Sequence, residues 1–235
     1  MHHKGSIALA VVTGFIVAAG IAGSADAAST ITLVDWEMNE PAGATVMVDS
    51  GPNHIDGAIG SAVTTGTVVS GATGYKWSST QPNQPPTKPE RLIQIQDSRL
   101  NAGSRDIAVT IRYRSTHSYG NIIQKGQNGT PGGYFKFEQP LGIMACLFKG
   151  STGSVAVRSP IATNDGAWHT FRCEKTATSV TMTIDGTRTV KTNGRPGSIS
   201  NTIPMTIGGK LNCNQDTITC DYFAGGLDYV KIETS

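Results

Sequence analysis

The sequence predicts an all-β protein folded as an antiparallel β-sandwich. Segments typical of strands recur every ~8–12 residues between turn residues, which is the spacing of sandwiches and barrels. No stretch carries a long helical period. The clearest strand is centred on Met182, where Val180, Met182 and Ile184 alternate with polar side chains. This period of two indicates a sheet with one face on the core and the other in water.

The N-terminus has the pattern of a secretory signal peptide. Lys4 precedes an apolar run over residues 7–22, and the small-residue sequence Ala25-Asp26-Ala27 follows. The run falls short of the ~20 residues that span a bilayer, which favours a cleaved signal over a retained anchor. We expect residues 1–27 to be removed. Residues 28–235 then form one secreted, extracellular domain without a further membrane segment.

The charge pattern argues against a nucleic-acid partner. The formal net charge is only +2, and 15% of the residues are charged. No basic cluster marks a surface for phosphate groups. Abundant Gly, Thr and Ser are typical of an exported β-protein with many turns.

The four cysteines predict two disulfides, because an even number in an exported chain favours pairing. Three pairings are possible. Cys213 and Cys220 flank one loop and are paired locally, so that Cys146 and Cys173 join two strands. A metal site is the competing interpretation, but there is no C-x-x-C pair and the histidines lie elsewhere.

The predicted strands follow one another along nearly the whole mature chain. They cover residues 30–38, 44–48, 58–60, 66–69, 92–95, 106–114, 120–125, 133–139, 143–149 and 154–158, then the hairpin 164–186, and finally 187–191, 205–207 and 222–232. Their inward faces should form the core, with Ile107, Val109, Ile111, Ile122, Phe135, Phe137, Phe171, Val180, Met182, Ile184, Ile207, Leu227 and Val230 among its members. Trp168 is out of phase with Phe171 and Cys173, which predicts a bulge or bend beside it.

One long segment, residues 74–90, is predicted to be a surface loop. Four prolines between residues 82 and 89 prevent pairing in a sheet there. Tyr75 and Trp77 lie at its entrance. They are interpreted either as a cover over the edge of the core or as a platform on which a sugar ring stacks.

Five motifs in order resemble one known family. They are the opening strand with the loop 36–57, the strand 120–126, the hairpin with Asp165-Gly166, Trp168-His169 and Asp185-Gly186, and the closing segments 207–209 and 223–232. Together they resemble laminin G-like domains of the concanavalin A-like lectin/glucanase superfamily. The resemblance implies a jelly-roll sandwich with both chain termini side by side in one sheet. It also implies that the Trp168-His169 pair is a feature of the fold.

A calcium ion is the cofactor that this resemblance and the residues favour. The loop 49–57 concentrates carboxylate, amide and main-chain oxygens, which are the ligands that calcium prefers. Similar domains often carry calcium near this loop, and paired termini would bring Asp228 towards it. We therefore expect Asp49, Asn53 and Asp228 as structural ligands. The alternative is that Asp49 and Asn53 are turn residues that bond the nearby backbone.

A second polar loop, residues 212–221, could present Asp216 and Asp221 as the rim of a glycan-binding site. The alternative is a surface loop that is merely closed by its disulfide. Glycoside hydrolysis needs two suitably spaced carboxyl groups. Asp35 and Glu37 share a strand face, but the E-x-D-x-x-E pattern of some sandwich glucanases is absent.

The sequence therefore favours a secreted module that binds carbohydrate or another extracellular surface or matrix ligand, with no catalytic residues assigned. A polysaccharide-degrading hydrolase or lyase on the same fold is the first alternative. A purely structural module is the second.

Overall fold

The structure is a computed structural model that describes residues 30–79, 90–211 and 222–235. The predicted signal peptide lies outside these ranges, as do Cys213, Cys220, Asp216 and Asp221. Two antiparallel sheets make up nearly all regular structure of the described residues. None of the helices in these ranges is long and apolar enough to cross a membrane.

Sheet I contains the two ends of the described chain. Its strands are β1 (Ile31–Trp36), β4 (Thr64–Val69), β5 (Ala72–Trp77), β7 (Ile107–Arg114), β12 (His169–Lys175), β13 (Ser179–Ile184), β14 (Arg188–Asn193) and β16 (Gly225–Thr234). Their order is β14-β13-β12-β7-β16-β5-β4. The start of β16 pairs with β5, whereas its later part pairs with β1. The expected pairing of the first and last strands is thus confirmed.

Sheet II lies on the other side of the core. Its strands are β2 (Val46–Met47), β3 (Gly57–Ile59), β6 (Ile93–Ile95), β8 (Asn121–Lys125), β9 (Tyr134–Glu138), β10 (Ala145–Lys149), β11 (Ser154–Arg158) and β15 (Met205–Ile207), in the order β11-β10-β9-β8-β15-β6-β3-β2. Short 3-10 turns at Ser98–Leu100 and Pro140–Gly142 complete the helical content of the described ranges.

The core between the sheets is the one that the alternating patterns predict. Every predicted core residue is buried in the structure. A disulfide between Cys146 and Cys173 crosses this core and joins β10 of sheet II to β12 of sheet I. Both cysteines are fully buried. This pairing is confirmed, and the predicted partner pair lies outside the described residues.

One detail differs from the sequence predictions. Tyr75 and Trp77 lie on β5, not in a loop, and both side chains are fully buried. Neither ring offers an exposed face, so the prediction of a sugar-stacking platform is wrong. The two rings belong to the core. The bend predicted beside Trp168 is present at residues 165–167, and β12 itself pairs with β7 without a register shift from His169 onwards. Trp168 is out of phase because it precedes the strand.

Candidate functional site

A pocket of about 320 Å³ opens where three strands of sheet I meet. β5 ends at this point, β7 ends beside it and β16 begins between them. The pairing of these strands therefore gathers residues that are far apart in the sequence. The volume lies at the lower end of the range of small-ligand pockets.

A row of three paired residues forms the floor of this pocket. Gly226 of β16 lies opposite Lys76 of β5 on one side and opposite Arg114 of β7 on the other. Lys76 faces outward because its neighbours Tyr75 and Trp77 point into the core. Gly226 contributes no side chain, so the row carries two cations with a gap between them.

Trp168 lies over that gap. A Cβ atom at Gly226 would stand 3.1 Å from Cη2 of Trp168 and 3.1 Å from a methyl group of Val69. The indole Nε1 donates a hydrogen bond of 3.0 Å to the carbonyl of Val69, which fixes the ring over the sheet. Trp168 is half-buried and lies beside the pocket, whose lining includes its neighbours Val69 and Gly226.

Arg112 and Asp228 support the tryptophan. The Cζ atom of Arg112 lies 4.8 Å from the centroid of the Trp168 ring, and the guanidinium pairs with the carboxylate of Asp228. A register shift between Leu227 and Tyr229 places Asp228 in a bulge of β16, which directs it towards Arg112. Burial raises the pKa of Asp228, while Arg112 opposes that rise.

The turn after β7 forms another wall and is held by hydrogen bonds. Ser115 Oγ donates to the carbonyl of Ala224 at 2.7 Å and accepts from the backbone N–H of His117 at 3.0 Å. Arg114 Nε donates to the carbonyl of Gly166 at 2.7 Å. The side chains that define this wall are therefore fixed before any ligand arrives.

The pocket is basic. Lys76, Arg114 and His117 line it together with the hydroxyl residues Ser78, Ser79, Ser115 and Thr116. Among its described lining residues there is no aspartate or glutamate. Such a site favours an anion with several hydrogen-bonding groups, because the cations attract the charge and the hydroxyls fix its orientation.

Two of the expected calcium ligands, Asp49 and Asn53, lie away from the pocket, and all three have protein partners. The carboxylate of Asp49 accepts hydrogen bonds from the backbone N–H groups of Asp35, Gly51 and Ile55, at 2.8, 2.8 and 2.9 Å. The side-chain amide of Asn53 donates to the carbonyls of Thr32 and Leu33. The bond from Gly51 to Asp49 is of the kind that the turn-forming alternative predicts, whereas Asn53 bonds carbonyls of β1 that lie 20 and 21 residues away in the sequence.

Arg99 supplies a positive charge at the loop 49–57. It donates to the carbonyl of Asn53 at 3.2 Å and pairs with Asp97. Asp228, by contrast, pairs with Arg112 on sheet I. No group of three or more His, Cys, Asp or Glu residues in the described ranges has a metal-binding arrangement.

Sequence reasoning missed Lys76 and Gly226 and treated Trp168 as a feature of the fold. One signal was available: the pair Gly225-Gly226 begins a strand, and glycine in a strand often marks a close approach. The alternation of Arg112 and Arg114 also predicts two cations on one outer face. No local sequence pattern shows that Lys76 pairs with Gly226 and so completes the row.

Solved structures support the fold. Domain 4 of AbnA, an extracellular arabinanase from Geobacillus stearothermophilus in complex with arabinotriose, is 13% identical with a TM-score of 0.56, covering 88% of this chain and 93% of that one. The binding domain of botulinum neurotoxin DC in complex with SialylT is 8% identical with a TM-score of 0.56, covering 86% of this chain and 46% of that one.

Domains LG4-5 of the mouse laminin alpha1 chain are 18% identical with a TM-score of 0.48, covering 67% of this chain and 46% of that one. This chain thus corresponds to less than half of that laminin structure. No curated protein sequence matches.

A family model gives the assignment. The model of the laminin G domain matches residues 114–234, which is just over half of the chain. The match contains the hairpin β12–β13, the disulfide between Cys146 and Cys173, and the closing strand β16. The chain therefore belongs to the laminin G domain family.

Proposed function

We propose that this domain is an extracellular binding module that recognises an acidic carbohydrate in the pocket over Gly226. The observation that carries the proposal is the row Lys76–Gly226–Arg114 with Trp168 above it. A sugar carboxylate or sulfate would pair with the two cations from the pocket, since Trp168 and Val69 already cover Gly226 itself. The exposed part of the indole would contact the sugar ring.

The chemistry of the lining fits such a ligand better than a neutral one. An arginine can bind a carboxylate or sulfate through two parallel hydrogen bonds, and lysine adds a mobile positive charge. Hydroxyl side chains of Ser78, Ser79 and Thr116 suit the hydroxyl groups of the same sugar. A tryptophan ring gives an apolar surface for the C–H face of a pyranose.

The fold is compatible with this role. The AbnA domain of similar fold holds arabinotriose, which makes a carbohydrate ligand a reasonable class to test here. Membership in the laminin G domain family and the predicted signal peptide both favour an extracellular location.

The test is titration calorimetry with polygalacturonate and heparin as acidic probes and arabinotriose and cellohexaose as neutral ones. We expect the acidic probes to bind, and to bind more weakly as salt is added, because salt screens exposed charges. Lys76→Ala should weaken binding about tenfold, which corresponds to ~1.4 kcal/mol. Gly226→Val should abolish binding because its side chain would displace Trp168 and Val69, each of which lies 3.1 Å from the position of a Cβ atom.

Lys191→Ala is the matched control, since Lys191 is exposed on β14 at the opposite edge of sheet I. It removes the same charge and should leave the affinity unchanged. Equal binding of acidic and neutral probes would contradict the proposal, as would an equal effect of Lys76→Ala and Lys191→Ala.

A further inference from the structure

A second pocket lies on the outer surface of sheet II and has different chemistry. It measures about 190 Å³ and is lined by Gln124, Gln127, Asn128, Lys136 and Lys210. We propose that it binds a neutral, hydroxyl-rich ligand such as a single sugar unit of an oligosaccharide. It shares no lining residue with the basic pocket, and the proposal does not depend on the proposed function.

The strands of sheet II place the floor of this pocket. Gln124 of β8 lies opposite Thr206 of β15 and opposite Lys136 of β9, and Thr206 lies opposite Gln94 of β6. This row faces away from the core, because Ile123, adjacent to Gln124, packs inward. The outer face of the sheet thus carries a continuous row of polar side chains.

The row is covered despite facing outward. Gln124 is only 2% exposed and Thr206 only 1%. Thr206 Oγ1 donates a hydrogen bond of 2.7 Å to the carbonyl of Gly209, which holds the following segment close to the sheet. The result is a recess over Gln124 in place of a flat surface.

Two amide oxygens at the recess accept no hydrogen bond from the described residues. Within the described part of the chain, the amide oxygens of Gln124 and Gln127 are buried and accept no hydrogen bond. Leaving a buried acceptor unpaired is costly, so a ligand hydroxyl or an ordered water is expected to donate to each of these oxygens. The last torsion of glutamine is soft, so a small rotation turns either oxygen towards a ligand hydroxyl.

Of the two lysines that line the pocket, Lys136 already has a carboxylate partner. Lys136 Nζ lies 2.5 Å from Glu138 Oε2, so its charge is already compensated. Its remaining N–H groups can still donate to a hydroxyl or ring oxygen. Amide side chains both donate and accept, which matches the paired donor and acceptor capacity of neighbouring sugar hydroxyls.

The loop that carries Gln127 and Asn128 is held in place. Thr130 N donates to the carbonyl of Gln127 at 2.9 Å, and Gln127 N donates to Thr130 Oγ1 at 2.9 Å. A fixed loop loses little conformational freedom when a ligand binds, which favours affinity.

The experiment is a two-dimensional NMR titration of the isotope-labelled protein with maltotriose, cellotriose and mannotriose. At least one of the three should shift the side-chain amide signals of Gln124 and Gln127. Gln127→Ala and Gln124→Ala should each weaken that titration about tenfold. Gln127 is a half-buried loop residue, so Gln127→Ala should fold. It therefore tests the proposal even if Gln124→Ala fails to fold.

Gln94→Ala is the matched control, because Gln94 belongs to the same row but lies outside the pocket. It should leave the titration unchanged. The proposal is overturned if none of the three sugars shifts these signals, if the shifts appear only around Lys76 and Arg114, or if the glutamine variants bind as well as the control. Lys76→Ala should not affect this titration, so its outcome is separable from that of the basic pocket.

Discussion

The guanidinium carbon of Arg112 lies 4.8 Å from the centroid of the Trp168 ring. Asp228 pairs with the same guanidinium from the bulge in β16, so the three side chains form a chain of contacts across β16, β7 and the start of β12. Cation–π contacts contribute about 0.5–2 kcal/mol, depending on their exposure. This contact therefore matters more for where the indole lies than for the stability of the whole domain.

Asp228→Asn should loosen Trp168. The change removes the charge that fixes Arg112, and we expect a loss of about 1–2 kcal/mol in the free energy of unfolding, because Asp228 is buried while Arg112 is partly exposed. Acrylamide quenching reports on the ring directly, since Trp36 and Trp77 are fully buried and Trp168 is not. Quenching should increase in the variant.

Glu174→Gln is a suitable control, because Glu174 lies on β12 and its replacement removes one charge from the same sheet. It should leave quenching as in the wild type. Unchanged quenching in Asp228→Asn would show that Arg112 does not depend on its ion pair.

The disulfide between the sheets predicts a specific response to reductant. It closes a loop of 27 residues, for which the chain-entropy model gives about 3.5 kcal/mol. We expect the double variant Cys146→Ala/Cys173→Ala to lose about this amount in urea denaturation, with a further contribution from the lost packing.

Because both cysteines are fully buried, dithiothreitol should act on the native protein only through its opening. The rate at which the thiols of Cys146 and Cys173 appear should therefore follow the rate of unfolding, which is measured in a Cys213→Ala/Cys220→Ala background. Fast reduction of this bridge under fully native conditions would contradict its buried position.

His169 predicts a pH dependence of stability near neutrality. Burial alone lowers the pKa of His169, but hydrogen bonds to Asp185 and Asp165 outweigh it and raise the pKa above the ordinary value. A raised folded-state pKa stabilises the protein below the unfolded value of about 6.5. This contribution is lost as the pH rises through the folded-state pKa.

The free energy of unfolding of the wild type minus that of His169→Gln should thus be largest below about pH 6.5 and shrink at higher pH. Urea denaturation at several pH values measures it. Asp185→Asn should reduce the slope, because it removes one of the two carboxylates. A difference that stays constant across this range would contradict the stabilisation of protonated His169 by Asp165 and Asp185.

Local patterns were sufficient for the fold. Val180, Met182 and Ile184 alternate with polar residues, and the structure buries all three on β13. The cysteine count, together with the local pairing of Cys213 and Cys220, predicted the bridge between Cys146 and Cys173. By contrast, Tyr75 and Trp77 were assigned to a loop because prolines follow them, although their alternation with Lys76 is that of a strand.

The basic pocket could not be predicted in the same way. Lys76, Arg114 and Gly226 come from three distant strands, and only the register of β16 with both of its neighbours makes them one row. The partner of Asp228 depends on a bulge that shifts this register by one residue. A shift of one residue reverses the direction of a side chain, so this contact is beyond pattern reasoning.

The calcium ion expected at Asp49, Asn53 and Asp228 stays a prediction and has a direct test. If calcium holds the loop 49–57, EDTA should lower the melting temperature and added calcium should restore it. An unchanged melting curve would mean that hydrogen bonds and Arg99 hold the loop without an ion. Asp49→Ala separates these contributions, because it removes the acceptor for three backbone N–H groups.

Asp49→Ala should lower the free energy of unfolding by about 2–4 kcal/mol even in EDTA, since buried donors are left unpaired. Any ion would add a loss that appears only with calcium present. Asp56→Ala is the comparison, since Asp56 accepts one backbone hydrogen bond from Asp49 and should cost less. If Asp49→Ala were neutral in EDTA, the three hydrogen bonds could not be what holds this loop against β1.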